Sequence, residues 1–256
     1  MRASIGRVLP VALLFVVWEL LTQARVVDPS FLPTVSSIVA AVWALLRGGE
    51  ISENLGISLF RTFAGLGLAT AVGIVLGTAM AVSRPLAGFF GPLVAVTYSL
   101  PKSALVPLFL LWFGIGSTTD VAAVSLACLL PILVHTYHGI QGVPELFVWS
   151  ASTMGTPRRL VWTRVLLPAA LPSVLTGTRI ALGFSFVLTI SAEMIASTDG
   201  IGRLIFMYGE NGAYPYMFAA IGVVVAVAFV ADRLFLALMR LLLRWHEFAQ
   251  HDSEPT

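Results

Sequence analysis

The chain has 256 residues, 58% of them hydrophobic and 11% charged, where soluble domains average about 45–50% apolar and about 25% charged residues. With a mean hydropathy of +0.93, part of this apolar surface has to face something other than water, which excludes a soluble enzyme, a disordered chain and a nucleic-acid binder. The net charge is only +2, and a single cysteine, Cys128 in an apolar run, excludes an intrachain disulfide framework.

A membrane-spanning helix needs about 18 or more mostly apolar residues, because the hydrocarbon core is about 30 Å thick and a helix rises about 1.5 Å per residue. Taken in chain order, the charge-free runs predict an all-α integral membrane protein with six spans. The first, 8–24, lies between Arg7 and Arg25 with Glu19 inside; no small-x-small cleavage site follows Ala24, so it reads as an uncleaved anchor. Residues Phe31–Arg61 read as extracytoplasmic, with a helix over Val35–Leu46 started at Pro33-Thr34 and stopped at Gly48-Gly49. The second span, 62–83, lies between Arg61 and Arg84. The third, 88–116, contains Pro92, Pro101, Pro107 and Lys102. The fourth, 121–138, follows Asp120; the fifth, 171–197, carries Arg179 and Glu193; the sixth, 212–241, runs past Asp232 and Arg233.

Basic residues near the spans set the orientation. Six spans put both termini on one side, with Arg2, Arg7, Arg84, Arg158, Arg159, Arg164, Arg240 and Arg244; the other side holds Arg25, Arg47, Arg61 and Arg203. The richer side, including the segment 139–168, is assigned to the cytoplasm. Asp28, Glu50, Glu53, Asp120, Asp199 and Glu210 then all fall outside.

Gly65, Ala69, Gly73, Gly77 and Ala81 recur every fourth position along the second span, a face on which another helix packs closely. The break at Leu100-Pro101-Lys102-Ser103 reads either as the lining of a transport pathway, with Lys102 as a cation beside it, or as a lysine snorkelling to the headgroups. Arg179 and Glu193 are fourteen residues apart, about 21 Å along one helix, and do not pair with each other. Each is a pathway residue or the ion-pair or capping partner of another span. His135 and His138 share a helix face without a carboxylate companion, so no metal site is expected and the imidazoles are placed at the negative, cytoplasmic end of the fourth span. Lys102 is the only lysine, and Pro101 stands where a P-loop requires glycine; the chain carries no ATP-binding cradle, no cofactor and no catalytic group.

The segment 139–168 reads as a two-helix elbow. Pro144-Glu145 starts a first helix with an apolar side of Leu146, Val148, Ala151 and Met154; Gly155-Thr156-Pro157 turns the chain; a second helix carries Arg158, Arg159 and Arg164. On residues alone it is a docking element or an amphipathic hairpin on the membrane surface.

Trp149-Ser150-Ala151, with Gly155 and, nine residues on, Val165-Leu166-Leu167-Pro168, resembles the EAA loop of binding-protein-dependent ABC importer permeases, which reads Glu-Ala-Ala, three residues, Gly, nine residues, Ile-x-Leu-Pro. Ala169–Pro172, Thr176–Leu182, Leu110–Gly116, Trp18–Leu21 and Ala192–Ile195 are similar to the same family, nearest the branch with nitrate, sulfonate, taurine and bicarbonate permeases. Trp149 and Ser150 depart from the family's Glu and first Ala, which leaves the indole or Glu145 to replace the carboxylate's anchoring.

The resemblance implies a type I ABC importer permease fold in the inner membrane of a prokaryote, moving a small solute inward. The implied partners are a cytoplasmic ATPase dimer that carries the ATP and Mg, a second permease copy in a homodimer, an extracytoplasmic solute-binding protein and the lipid bilayer. Glu145, Trp149, Ser150, Ala151, Met154, Gly155, Arg158, Arg159 and Arg164 would then couple to the ATPase, and Lys102, Arg179 and Glu193 would line the pathway. A basic Lys102 and Arg179 suit an anionic solute. The rival from another class is a secondary transporter driven by an ion gradient, which calls for inverted repeats and several intramembrane carboxylates.

Overall fold

The computed structural model describes residues 2–28 and 30–245, with the side chains of residues 9, 10, 12–28, 30–157 and 160–245. Its centre is a helix gripped from two sides by glycine. Helix α6 (Ser117–Gln141) runs between α3 (Glu50–Val82) and α9 (Leu167–Ala196), and it makes the most extensive packing in the molecule with both. A Cβ built on Gly65, Gly73 or Gly77 of α3 would stand 2.6 Å from Val124, 2.9 Å from Ile132 or 2.8 Å from the Leu133 carbonyl. Across the other side, a Cβ on Gly177 of α9 would meet His135 at 2.5 Å, and one on Gly139 of α6 would meet Ser173 at 2.7 Å. Side chains are absent where the backbones touch, so the gain is dispersion and excluded lipid rather than apolar burial from water. Leu66, Ala69, Val124, Cys128, Ile132, Ala181 and Leu182 fill the remaining space.

The other helices are arranged around this trio. α1 spans Arg2–Gln23, and α2 spans Val35–Gly48. The Thr34 hydroxyl accepts from Ser37 N–H at the start of α2, and Gly49 ends it in the left-handed region, as the Pro-Thr and Gly-Gly signals predict. α10 (Ile201–Glu210) and α11 (Tyr214–Leu242) pack with α2 around Ala41, Leu45, Ile51, Ile201, Ala219 and Ala220. Among the described residues, α3, α6, the run Trp162–Ala196 and α11 are long and apolar enough to cross a membrane. The apolar part of α1, Ala12–Gln23, is shorter than a span.

One region follows the sequence expectation and one differs from it. The third apolar region is broken where the prolines place the break: α4 (Arg84–Ser99) and the segment Lys102–Phe113, a 3₁₀ turn followed by α5 (Val106–Phe113), meet at 97° across Leu100-Pro101. Leu100 and Pro101 both hold extended backbone, with ψ of 139° and 104°, the conformation that a proline ring favours in the residue before it. The difference is that α3 begins at Glu50, not after Arg61. No proline interrupts residues 50–82, and Arg61 does not bound the helix because its charge is paired within the protein.

Candidate functional site

The elbow over residues 139–168 is built on adjoining ends of α6 and α9. α7 (Glu145–Thr153) starts after Pro144, and α8 (Arg158–Val161) continues through a π turn, Trp162–Leu166, into α9. In that turn the Leu167 N–H reaches back to the Trp162 carbonyl, and Pro168, which has no N–H to give, follows it. α7 ends in a Schellman motif: Thr156 N–H donates to the Ala151 carbonyl and Gly155 N–H to that of Ser152, both at 3.0 Å, with Gly155 at φ +77°.

The apolar side expected for α7 is divided. Val148 and Ala151 turn inward onto Ile140, Val161, Leu166 and Ala170. Leu146 and Met154 do not join them; they are exposed, together with Phe147 and Trp149. At about 100° per residue, Leu146, Trp149 and Ser150 fall on the face opposite Val148 and Ala151. Trp149 is 63% exposed and Met154 84%. Within the triplet Trp149-Ser150-Ala151, the one position that matches the family's Glu-Ala-Ala, Ala151, thus packs on the bundle, and the two departures face outward. Neither Trp149 nor Glu145 makes a side-chain hydrogen bond or ion pair among the described residues. Arg164 is exposed; the guanidinium groups of Arg158 and Arg159 lie outside the described side chains.

Two cavities lie one after the other along α6. The first, about 270 Å³, is lined by Tyr98 and Leu100–Ser103 at the α4 break, by Ala127, Leu130 and Pro131 of α6, and by α9 residues that include Phe184 and Leu188. Lys102 donates from Nζ to the Tyr98 carbonyl and lies 5.1 Å from the centroid of that ring. The second cavity, about 410 Å³, is bordered by Tyr98 from above and by Tyr137 and His138 below. Among the described residues no three His, Cys, Asp or Glu converge as a metal site.

Arg179 and Glu193 line neither cavity. Arg179 makes a two-pronged pair with Asp232 of α11, at 2.7 and 3.1 Å. Glu193 is the centre of a buried cluster. Its carboxylate accepts from Arg61 Nη1 at 3.1 Å, from the Ser58 hydroxyl at 2.8 Å and from Gly202 N–H at 2.9 Å. Arg61 also donates from Nε to Ser117 at 2.9 Å, and its Nη2 pairs with the Asp199 carboxylate; Asp120 lies 3.2 Å from Nε. Arg61 is 2% exposed and Glu193 0%. Charge counting along the sequence put Arg61, Asp120 and Asp199 outside as loop charges; the folded chain gathers them at one junction of α3, α6 and α9. The readable signals were the proline-free run 50–82 and Asp199-Gly200-Ile201-Gly202: a Cβ on Gly200 would sit 2.4 Å from Glu193.

A three-helix core with glycine faces, an apolar helix pair broken at a proline and a two-helix elbow are the features of an all-helical membrane protein. The model of the family described as binding-protein-dependent transport system inner membrane component matches residues 69–244, and the chain belongs to that family. The taurine transport system permease protein of Escherichia coli is 31% identical over 240 residues, 92% of this chain and 87% of the relative. The putative aliphatic sulfonates transport permease protein of the same organism is 33% identical over 248 residues, 97% and 94% of the two chains. A chain of the MetNI methionine ABC transporter, solved facing inward, superimposes with a TM-score of 0.65 at 18% identity, over 75% of this chain and 96% of that one; at that identity the likeness concerns the fold. The protein is a transmembrane permease subunit of an ATP-driven ABC importer, of the type I permease fold.

Proposed function

We propose that the chain works as one of two identical permease subunits with a cytoplasmic ATPase dimer, which binds the ATP and Mg, and an extracytoplasmic binding protein that delivers the solute. The observation that carries this reading is the elbow: a short helix capped by Gly155, seated on the core by Val148 and Ala151, and exposing Leu146, Trp149, Ser150 and Met154 away from the bundle. An exposed aromatic and sulfur-bearing patch on a rigid seat is suited to a protein partner. Glu145 and Arg164, both exposed, supply its charged rim. Closure of the ATPase dimer would push two such elbows together and, through α6 and α9, turn the pathway outward; release would turn it inward.

In the topology proposed with this, both termini and the elbow are cytoplasmic, six segments cross the inner membrane, and the broken pair α4–α5 forms the third. Lys102 stands beside the pathway at that break. Arg179 and Glu193 act as ion-pair partners between helices, a role supported by their contacts with Asp232 and Arg61. The solute is a small anion. The names of the two relatives, for taurine and for aliphatic sulfonates, support this, as does a lysine at an intramembrane cavity.

Reconstitution of the chain with its ATPase and binding protein in liposomes tests the reading. Inward flux should require ATP and the binding protein. Flux that proceeds without both and follows an imposed ion gradient would instead establish the secondary-transport rival.

A further inference from the structure

The junction around Arg61 sets three carboxylates against one guanidinium: Asp120 on α6, Glu193 on α9 and Asp199 in the loop before α10. The hydrogen-bond donors are shared unevenly among them. Glu193 takes Arg61 Nη1, the Ser58 hydroxyl and the Gly202 N–H. Asp199 takes Arg61 Nη2 and is 46% exposed, so solvent reaches it. Asp120 is wholly enclosed and receives one hydrogen bond, from the Ser197 hydroxyl to Oδ2. Its Oδ1 has no partner among the described residues. Arg61 Nε stands 3.2 Å from Oδ2, but its hydrogen goes to Ser117, while Nη1 serves Glu193 and the Asp199 carbonyl. Helix α5, which meets the start of α6 at Thr119, carries no titratable side chain. On α6 itself the next one is Cys128, about two turns away. An enclosed carboxylate with one hydroxyl donor, beside two others that already use the guanidinium, is the costliest ionisation in this cluster. A neutral carboxyl in the same place leaves only an O–H unpaired, a far smaller penalty.

We infer that Asp120 is a proton-binding site: its carboxyl stays protonated at neutral pH, and its ionisation in alkaline solution loosens the seat of α10. That seat consists of three successive amides. Gly200 N–H donates to Asn54 Oδ1 at 2.7 Å, Ile201 N–H to Ser58 Oγ at 2.9 Å and Gly202 N–H to Glu193 at 2.9 Å. Asp199 stands just before them and is tied to Arg61. Once Asp120 ionises, it competes with Asp199 for the one guanidinium. Asp199 is the member that water stabilises, so the loop that starts α10 gives way first. In the topology proposed above, this junction lies on the extracytoplasmic side, away from the elbow, and answers to the pH outside.

Asparagine has the shape of the neutral acid, so Asp120→Asn in the full-length chain is the deciding variant. An unfolded aspartate loses its proton above about pH 4. A folded chain that keeps this proton is most stable below that pH and loses stability as the pH rises, until the proton leaves. Asp120→Asn should therefore unfold later than wild type at neutral pH in mixed micelles. The ratio of the two unfolding constants should grow about tenfold per pH unit between about pH 5 and pH 7. Infrared spectra of the chain in nanodiscs should show a protonated-carboxyl band at neutral pH that Asp120→Asn lacks. At about pH 9, the amides of Gly200, Ile201 and Gly202 should exchange with deuterium at least about tenfold faster in wild type than in Asp120→Asn. An Asp120→Asn chain that unfolds earlier than wild type at neutral pH, or fails to fold, shows that the carboxylate charge is needed and overturns the site. A carboxyl band that persists in the variant places the proton elsewhere and overturns it too. Alkaline loosening that sodium ions suppress would assign the site to a metal cation instead. Equal exchange in the two chains would disconnect Asp120 from α10.

Discussion

The guanidinium of Arg61 on α3 and the carboxylate of Glu193 on α9 meet at 3.1 Å with both side chains almost wholly enclosed. Through this contact one arginine joins α3 to α9, to Ser117 at the start of α6 and to Asp199 in the loop before α10. The three core helices are thereby fixed towards one end by charge. Their middles are fixed by glycine contacts and the opposite ends of α6 and α9 by the elbow.

Removing one member of a buried pair strands the other, which costs about 3–5 kcal/mol. Glu193→Ala should therefore destabilise the chain by about that amount, and Arg61→Ala by at least as much, since it leaves both Glu193 and Asp120 enclosed without their cation. Replacing Arg61 and Glu193 together by Leu should recover part of the loss. Denaturation of the purified chain in mixed micelles measures this, and a Glu193→Ala variant within about 1 kcal/mol of wild type would show the pair to be dispensable.

Glycines of the core should respond according to what their Cβ would meet. At Gly77 an added Cβ would be 2.8 Å from both the Leu133 carbonyl and Thr136. Gly77→Ala should cost about 1–3 kcal/mol, as overpacking does. Gly67 and Gly183 face open space inside helices. There, alanine should be neutral or stabilise by up to about 1 kcal/mol. Equal melting temperatures for Gly77→Ala and Gly67→Ala would contradict the close approach of α3 to α6.

Gly155 combines a left-handed φ with open space around its Cβ position. Gly155→Ala should weaken the end of α7 by about 1–2 kcal/mol through the backbone alone. Asparagine tolerates that conformation, so Gly155→Asn separates backbone shape from steric access. Gly155→Asp should leave membrane insertion intact and abolish solute-stimulated ATPase activity. If Asn restores full stimulation, φ is the reason for glycine; if Asn uncouples as Asp does, the partner approaches too closely for any side chain.

The Trp149 indole lies exposed on the outer face of α7 and makes no side-chain hydrogen bond among the described residues. Trp149→Ala should weaken ATPase attachment by about 2 kcal/mol, roughly thirtyfold, as exposed tryptophans at interfaces do, with little change in the melting temperature of the isolated chain. Retention of the ATPase during purification and its measured Kd report the outcome. An unchanged Kd would move the docking surface away from this face.

Composition alone determined that the chain lives in a membrane, because 58% apolar residues have no other solvent to face. The order of prolines, glycines and loop motifs determined its family, since those residues act locally: Pro101 breaks the third apolar region, Gly49 and Gly155 end helices, and the Gly155-to-Pro168 spacing marks the elbow. Partners of the ionisable residues were decided only by the tertiary structure. Arg61 and Glu193 are 132 positions apart, and no periodicity links them; a charge is expelled or enclosed according to what packing brings within reach. The same holds for α7, where a 3.6-residue period marks an apolar helix but only its seat on Ile140 and Val161 decides that Ala151 turns in and Trp149 turns out.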